Sequence, residues 1–388
     1  MHFALTEEQE AIREAARDFL SKRADSARLR KDMLLPEGHD PALWKEISGE
    51  LGWAGISLPE DVGGSGLGMV ETAILLEEQG RCLYGGPFLA SAGLATALLL
   101  EAPASEARDA ILARLAVGEA TAALAVTGDS GRPGGDAVAL ELVEGPAGVQ
   151  LRGHAAFVLN GNVADTFIAA AHDRRPGRDG LAMVAVAAGA SGLAVKTLAA
   201  MDLTRPYARI ECSNVQAVDV LVDGGGVAVA RGLQVAQVAL AAEQLGAMQA
   251  VMDLTTEYAR QRVQFGRVIG SFQAIKHRLA DMMVICEAAR SAVYYAACVV
   301  DEYRSDPATG AAELAEAAAL VKVYCSSGFH DVAGNAIQLH GGIGFTWEYD
   351  TQLFFKRARA TSNLLGSPQY HREVIAELLG LDAATEAP

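Results

Sequence analysis

The apolar periodicity of the chain changes near Ala122 and again near Val227, which confines it to a helical block, a block of short strands and a second helical block. Thr6 and Gln9 stand at capping-box spacing, and Ile12, Ala16, Phe19 and Leu20 follow on one helical face. Further helices are predicted over Pro41–Leu51, stopped by Gly52, and over Met69–Glu78, Ser91–Leu100 and Glu106–Val117. Seven short runs follow: Ala123–Val126, Ala137–Val143, Ala155–Leu159, Phe167–Ala171, Leu181–Val186, Val195–Leu198 and Val218–Val222. Gly, Pro, Asp and Asn clusters separate them, as expected of a small antiparallel barrel or sandwich. From Val227 the helical period returns over Val227–Gln261, Ser271–Tyr303, Ala311–Ala336, Asp350–Ala358 and His371–Leu379. The expected fold is mainly α with a central β domain, divided as residues 1–120, 121–226 and 227–388.

Charge and cysteine usage exclude some partners. A formal net charge of −16 leaves no basic face for nucleic acid, although a few local arginines suffice for a small anion. The five dispersed cysteines read as reduced thiols with no metal-type spacing, and no metal site is expected. The charged N-terminus lacks an apolar signal core, and no uninterrupted apolar run has the length of a membrane span. These features predict a soluble cytoplasmic protein. The glycine-rich segment before Met69 has no strand before it and no lysine after it, so it reads as a tight interhelical loop rather than a phosphate cradle.

Two stretches carry residues suited to a dinucleotide. In Tyr258–Met282, Arg262, Phe265 and Gly266 supply a cation, a ring and a position of close backbone approach. In Gln338–Phe345, Gly341, Gly342 and Gly344 form a loop whose amides can face phosphate oxygens. The glycines follow a helical pattern rather than a strand, so this is not a Rossmann fingerprint. Taken singly, an arginine on a helix is more often solvated or ion-paired, and a double glycine is more often a turn.

Together, and over nearly the whole chain, these motifs resemble the acyl-CoA dehydrogenase family. The resemblance implies an N-terminal helical domain, a middle β-barrel, a C-terminal four-helix bundle, and FAD bound across a subunit interface. It assigns flavin contacts to Arg262, Phe265, Gln273, Gln338, Gly341 and Gly342. In the β block it assigns Thr127 to a flavin contact and Phe157 to the aromatic that packs on the ring system, with Leu159 in place of a hydroxyl-bearing threonine. Near the C-terminus, Ser367 and Gln369 match the hydroxyl and the glutamine of a further cofactor-contacting segment. The resemblance also implies an acyl-CoA substrate, an electron-transfer flavoprotein as acceptor, and a tetramer.

Removing the weakly acidic proton α to a thioester calls for a carboxylate in a dry site, where burial raises its pKa toward the working pH. The two positions that carry this base in the family are occupied here by Leu365 and Ala236, with Gln237 following the latter in place of arginine. Glu243 lies seven residues beyond Ala236, on nearly the same face of the helix and along a stripe of small residues. That placement suits either a base or a buried partner of an arginine or a backbone amide. His340 is expected to pack rather than titrate, and Lys356, Arg357 and Arg359 to pair with Glu348 or Asp350. Two versions of the function follow: a homotetramer with Glu243 as base, or a base-deficient subunit of a heterotetramer whose sister carries the acid. The segments LHGGIGFTWE and LLGSPQYHRE favour the second, because they resemble actinobacterial members that act in lipid and sterol-side-chain β-oxidation. A non-catalytic structural subunit and oxygen-dependent flavin chemistry stand as the other readings.

Overall fold

The computed structural model describes residues 5–381 apart from Ala147 and Ala217, so the ends of the first and third expected blocks, residues 1–4 and 382–388, lie outside the described residues. The first block holds α1 (Glu7–Arg23), α2 (Ser26–Asp32), α3 (Pro41–Lys45), α4 (Met69–Arg81), α5 (Thr96–Leu99) and α6 (Glu106–Ala116). Thr6 Oγ1 accepts from Gln9 N at 3.2 Å and Gln9 Oε1 from Thr6 N at 3.0 Å, closing the capping box that starts α1. The glycine-rich loop enters α4 with its amides already taken. The Asp301 carboxylate accepts from Met69 N at 2.6 Å and from Val70 N at 3.3 Å. A Cβ on Gly68 would lie 2.6 Å from that carboxylate, which leaves no room for a phosphate.

The β block comprises β1 (Ala122–Ala125), β2 (Leu140–Gly145), β3 (Gly148–Leu159), β4 (Thr166–Asp173), β5 (Leu181–Ala187), β6 (Leu193–Leu198), β7 (Tyr207–Val215) and β8 (Val218–Val222). They form one sheet in the order β6-β7-β3-β2-β4-β5-β8, mainly antiparallel, with β1 and β2 both running parallel to β4. β4 and β5 are buried on both faces, which explains their continuous apolar runs. β7 lies in none of the expected runs, although Ile210 and Cys212 alternate with Arg209 and Glu211 as in a half-buried strand.

The second helical block is built on three long helices, α7 (Gly226–Gln261), α8 (Gln273–Ser305) and α9 (Pro307–His340), followed by α10 (Thr351–Asn363) and α11 (Pro368–Leu378). Between α7 and α8 lies a two-stranded hairpin of β9 (Val263–Gln264) and β10 (Arg267–Val268). α8 is long and apolar enough to cross a membrane by composition alone, and it packs against α4, α7 and α9. α4 crosses α7 at a glycine pair: a Cβ on Gly80 would collide with the carbonyl oxygen of Glu243, and one on Gly246 with that of Glu77. The small-residue stripe of α7 is therefore a helix-packing seam, and what packs closely on it is α4.

Candidate flavin and substrate site

Where β3 meets β7 the register shifts between Ala155 and Val158, and the bulge turns Phe157 out of the sheet with φ +57°. A phenylalanine in the left-handed region is strained, and here the residue is 45% exposed. The ring borders a cavity of about 420 Å³ between the β block and the α10–α11 connection. Thr127 and Ser367 line the same cavity, so three predicted flavin contacts from distant parts of the sequence meet there. The Thr127 hydroxyl donates to Ala156 O at 2.6 Å, which leaves its oxygen free to accept from a ligand N–H. Ser367 caps α11, its Oγ accepting from Tyr370 N at 3.2 Å. Leu159 does not join them. It is buried in the core and paired with Tyr207 on β7, so its assignment as a cofactor contact is corrected.

The remaining predicted contacts lie apart from this cavity. Phe265 and Gly266 form the hairpin turn with φ +54° and +76°, and Phe265 projects with 91% of its surface exposed. Arg262 and Gln273 are exposed at the base of the hairpin, Gln338 at the end of α9, and Gly341 and Gly342 just beyond it. Open space surrounds both glycines. The two motifs touch through Tyr258, whose ring stacks on His340 at 4.2 Å. His340 is buried, its Nδ1–H donates to Ala336 O at 2.7 Å, and burial lowers its pKa, in keeping with packing rather than acid–base work. Gln369 is exposed and donates to Glu373 at 2.7 Å, away from the cavity.

The residues present fit FAD in two separate places: a cavity with an exposed aromatic face, and a protruding tip with a cation, a ring and open glycine amides. A single chain does not bring the two together, as expected of a cofactor gripped between protomers.

A second cavity, of about 410 Å³, adjoins the first through Arg132, which lines both. Its walls come from α7, α9, α11 and the segment around Gly134. Leu365 has φ +59° and is followed by Gly366 with φ +99°. His371 Nε2–H donates to Leu365 O at 2.8 Å, and burial pushes the His371 pKa down to about 4, fixing the ring neutral with Nδ1 as an acceptor. Beneath this loop, Lys322 is fully buried and donates to Ser362 O and to Ser326 Oγ, both at 2.9 Å.

Glu243 is not poised at either cavity. It is 3% exposed, and each carboxylate oxygen accepts from a different Arg205 nitrogen at 2.7 Å. Arg357 lies 3.6 Å away on the other side. Arg357 in turn pairs with Asp202 at 2.8 Å and donates to Thr204 Oγ1 and Leu83 O. Two arginines and two carboxylates thus balance inside the protein, joining the segment before β7 to α7, α10 and the end of α4. Both carboxylate oxygens are taken by guanidinium N–H donors and Glu243 lines neither cavity, so its assignment as catalytic base is corrected to a structural ion pair. Ala236 is buried in the core. The basic cluster pairs differently from expectation as well: Arg357 with Asp202, Lys356 over the Trp347 ring at 4.1 Å, and Asp350 with Arg30. Nothing in the sequence marks Arg205 as the partner of Glu243, because the two lie 38 residues apart and Arg205 sits in a loop.

The family models for the N-terminal and C-terminal domains of acyl-CoA dehydrogenases match residues 6–119 and 223–380. The chain is 34% identical over 372 residues to acyl-CoA dehydrogenase IpdE2 of Mycobacterium tuberculosis, covering 96% of each protein. It superposes on a chain of the ChsE4–ChsE5 complex from Mycobacterium tuberculosis with a TM-score of 0.87 and 26% identity, over 100% of both chains. Against the Tcur3481–Tcur3483 steroid acyl-CoA dehydrogenase the TM-score is 0.84 at 28% identity, over 98% of this chain and 99% of that one. Solved structures of this fold, 25% identical over 98% of the chain, hold FAD. The chain is a member of the acyl-CoA dehydrogenase family, whose members are FAD-dependent oxidoreductases.

Proposed function

We propose that this chain works as a base-deficient subunit of a heterotetramer that dehydrogenates an acyl-CoA thioester between its α and β carbons. The observation that carries the reading is that, among the described residues, no carboxylate lines either cavity. Leu365 and Ala236 cannot accept a proton, and Glu243 is locked to Arg205. When bound, FAD supplies the acceptor for the hydride that leaves the β carbon. This chain's contribution is binding. Arg262, Phe265, Gln273, Gln338, Gly341 and Gly342 form an exposed surface suited to the dinucleotide of a neighbouring protomer. Thr127, Phe157 and Ser367 are suited to hold a ring system in the chain's own cavity. Gln369, exposed on α11, is expected to join a site completed by another subunit. The α-proton goes to a carboxylate of the sister subunit. ChsE4–ChsE5 is solved as a complex of two different chains, which supports a heteromer here. The steroid activity named for Tcur3481–Tcur3483 supports a bulky acyl group from sterol-type β-oxidation. An electron-transfer flavoprotein is the acceptor we expect, and the cytoplasm the location.

The test is anaerobic flavin bleaching by acyl-CoA esters, run on this chain alone and on this chain co-expressed with a sister subunit. Bleaching confined to the co-expressed pair supports the proposal. Bleaching by the lone chain, abolished by Glu243→Gln without loss of folded protein, contradicts it. So does a chain that neither binds FAD nor raises the FAD content of its partner.

A further inference from the structure

The cavity that holds Thr127, Phe157 and Ser367 carries charge of one sign. Arg132 and Arg359 line it, and among the described residues no carboxylate does. The remaining polar lining, Thr127, Ser130, Tyr207, Asn363 and Ser367, is neutral. Arg132 sits in the loop between β1 and β2, which is pinned at its base by Gly128 N donating to Ala137 O at 2.8 Å. The loop runs against the exposed aromatic, since a Cβ on Gly131 would lie 3.6 Å from the Phe157 ring. Arg359 reaches the cavity from α10, on the helix face it shares with Ala360 and Asn363. Both guanidiniums are exposed, and neither is held by an ion pair or a side-chain hydrogen bond among the described residues. The acid nearest to Arg132 in its loop outside the cavity wall, Asp129, is committed to Arg209 at 2.5 Å and lies 3.1 Å from His154 Nε2.

Two cations without a counter-ion suit a cavity in which negative charge develops. Dehydrogenation as proposed above separates the two hydrogens of the acyl chain. The bond from the α carbon gives its proton to a carboxylate of the sister subunit, and its electron pair becomes the new carbon–carbon double bond. The bond from the β carbon leaves as hydride, which carries two electrons and one proton. The ring system that receives it therefore gains one negative charge with no second proton to cancel it. Fixed cations at the edge of a partly desolvated cavity stabilise such a charge more than water does, without reorganising as it forms. We infer that Arg132 and Arg359 stabilise the anionic reduced flavin and so raise the reduction potential of FAD bound in this cavity. The inference rests on the flavin and acyl-CoA reading above, and it gives this chain the charge stabilisation where its sister gives the base.

The test is the reduction potential of the bound flavin, measured against reference dyes without oxygen in the FAD-loaded protein, in the assembly in which it purifies. Arg132→Gln and Arg359→Gln are each expected to weaken reduction about tenfold, a fall of about 30 mV for a two-electron couple. Arg132→Lys and Arg359→Lys keep the charge and are expected to keep the wild-type potential. The pH dependence is a second readout. Uptake of one proton with two electrons lowers the potential by about 30 mV per pH unit, and uptake of two protons by about 59 mV. The wild-type slope near neutral pH is expected to be the smaller, and that of the double Gln variant to move toward the larger. Unchanged potentials in both Gln variants overturn the inference, as does a wild-type slope near the larger value. So does loss of FAD from the variants with the potential of the remaining flavin unmoved, which would make the arginines a grip for phosphate. Each of those results leaves the flavin-bleaching test standing, whereas a wild-type assembly that holds no FAD overturns the cofactor reading and this inference together.

Discussion

Arg205 and Glu243 face each other through two parallel hydrogen bonds of 2.7 Å, with both side chains almost fully buried. The acid that the sequence offers as a substitute base is thereby the centre of an ion-pair network that also holds Arg357 and Asp202. Removing one partner of a buried pair leaves the other charge uncompensated, at a cost of about 3–5 kcal/mol. Glu243→Gln is therefore predicted to lower the unfolding free energy by about that amount, read from urea denaturation. A variant of unchanged stability that has lost only turnover would restore Glu243 as a catalytic residue.

The Gly80–Gly246 crossing gives a second prediction. Each added Cβ meets a backbone carbonyl rather than a flexible side chain, so the helices must separate. Gly246→Ala should cost at least about 3 kcal/mol, more than the 1–3 kcal/mol typical of overpacking. Gly342→Ala, in open space, should change stability by less than about 1 kcal/mol. Thermal melts of the two variants side by side check the contrast.

Much of the architecture is legible in the sequence because long helices and doubly buried strands carry strong periodic signals. α7 and β8 fall on their predicted ranges almost residue for residue. The two flavin motifs are legible as residue types, and Thr127, Phe157 and Ser367 do meet at one cavity. What could not be read was set by partners far away in the chain. Arg205 neutralises Glu243, Asp202 rather than Glu348 takes Arg357, and α4 fills the small-residue stripe. Leu159 illustrates the same limit, since the bulge before it decides which neighbour faces the cavity. β7 is hard to read in the sequence for another reason: it alternates, but charged residues interrupt its apolar run.

Lys322 predicts a pH dependence. Burial drives its pKa down from 10.5 to about 7, opposed only weakly by Cys325, and among the described residues its hydrogen bonds go to Ser362 O and Ser326 Oγ. In the folded protein the amine loses its proton near pH 7, whereas in the unfolded chain it keeps it to about pH 10.5, so the unfolded state binds more protons between these values. Stability contributed by this residue therefore rises with pH across that window, by at most about 1.4 kcal/mol per unit. Below pH 7 both states are protonated and the full penalty persists. Lys322→Met should flatten the slope and stabilise the protein near pH 7, measured by urea denaturation at a series of pH values.

The exposed tip is predicted to matter for cofactor and not for folding. Arg262→Ala and Phe265→Ala remove surface side chains with few intrachain contacts, so each should shift stability by less than about 0.5 kcal/mol. The FAD content of the assembled protein should nevertheless fall, read as the ratio of flavin to protein absorbance. Unchanged flavin content in both variants would remove this surface from the cofactor site.

As proposed, this chain binds flavin yet takes no proton from substrate. This is tested most directly by incubating the FAD-loaded chain alone with an acyl-CoA ester in D2O without oxygen, and following deuterium entry at the α carbon by mass spectrometry. The predicted result is no exchange above the protein-free rate, with exchange appearing when a carboxylate-bearing sister subunit is present. Exchange catalysed by the lone chain, lost in Glu243→Gln at unchanged stability, would contradict the account.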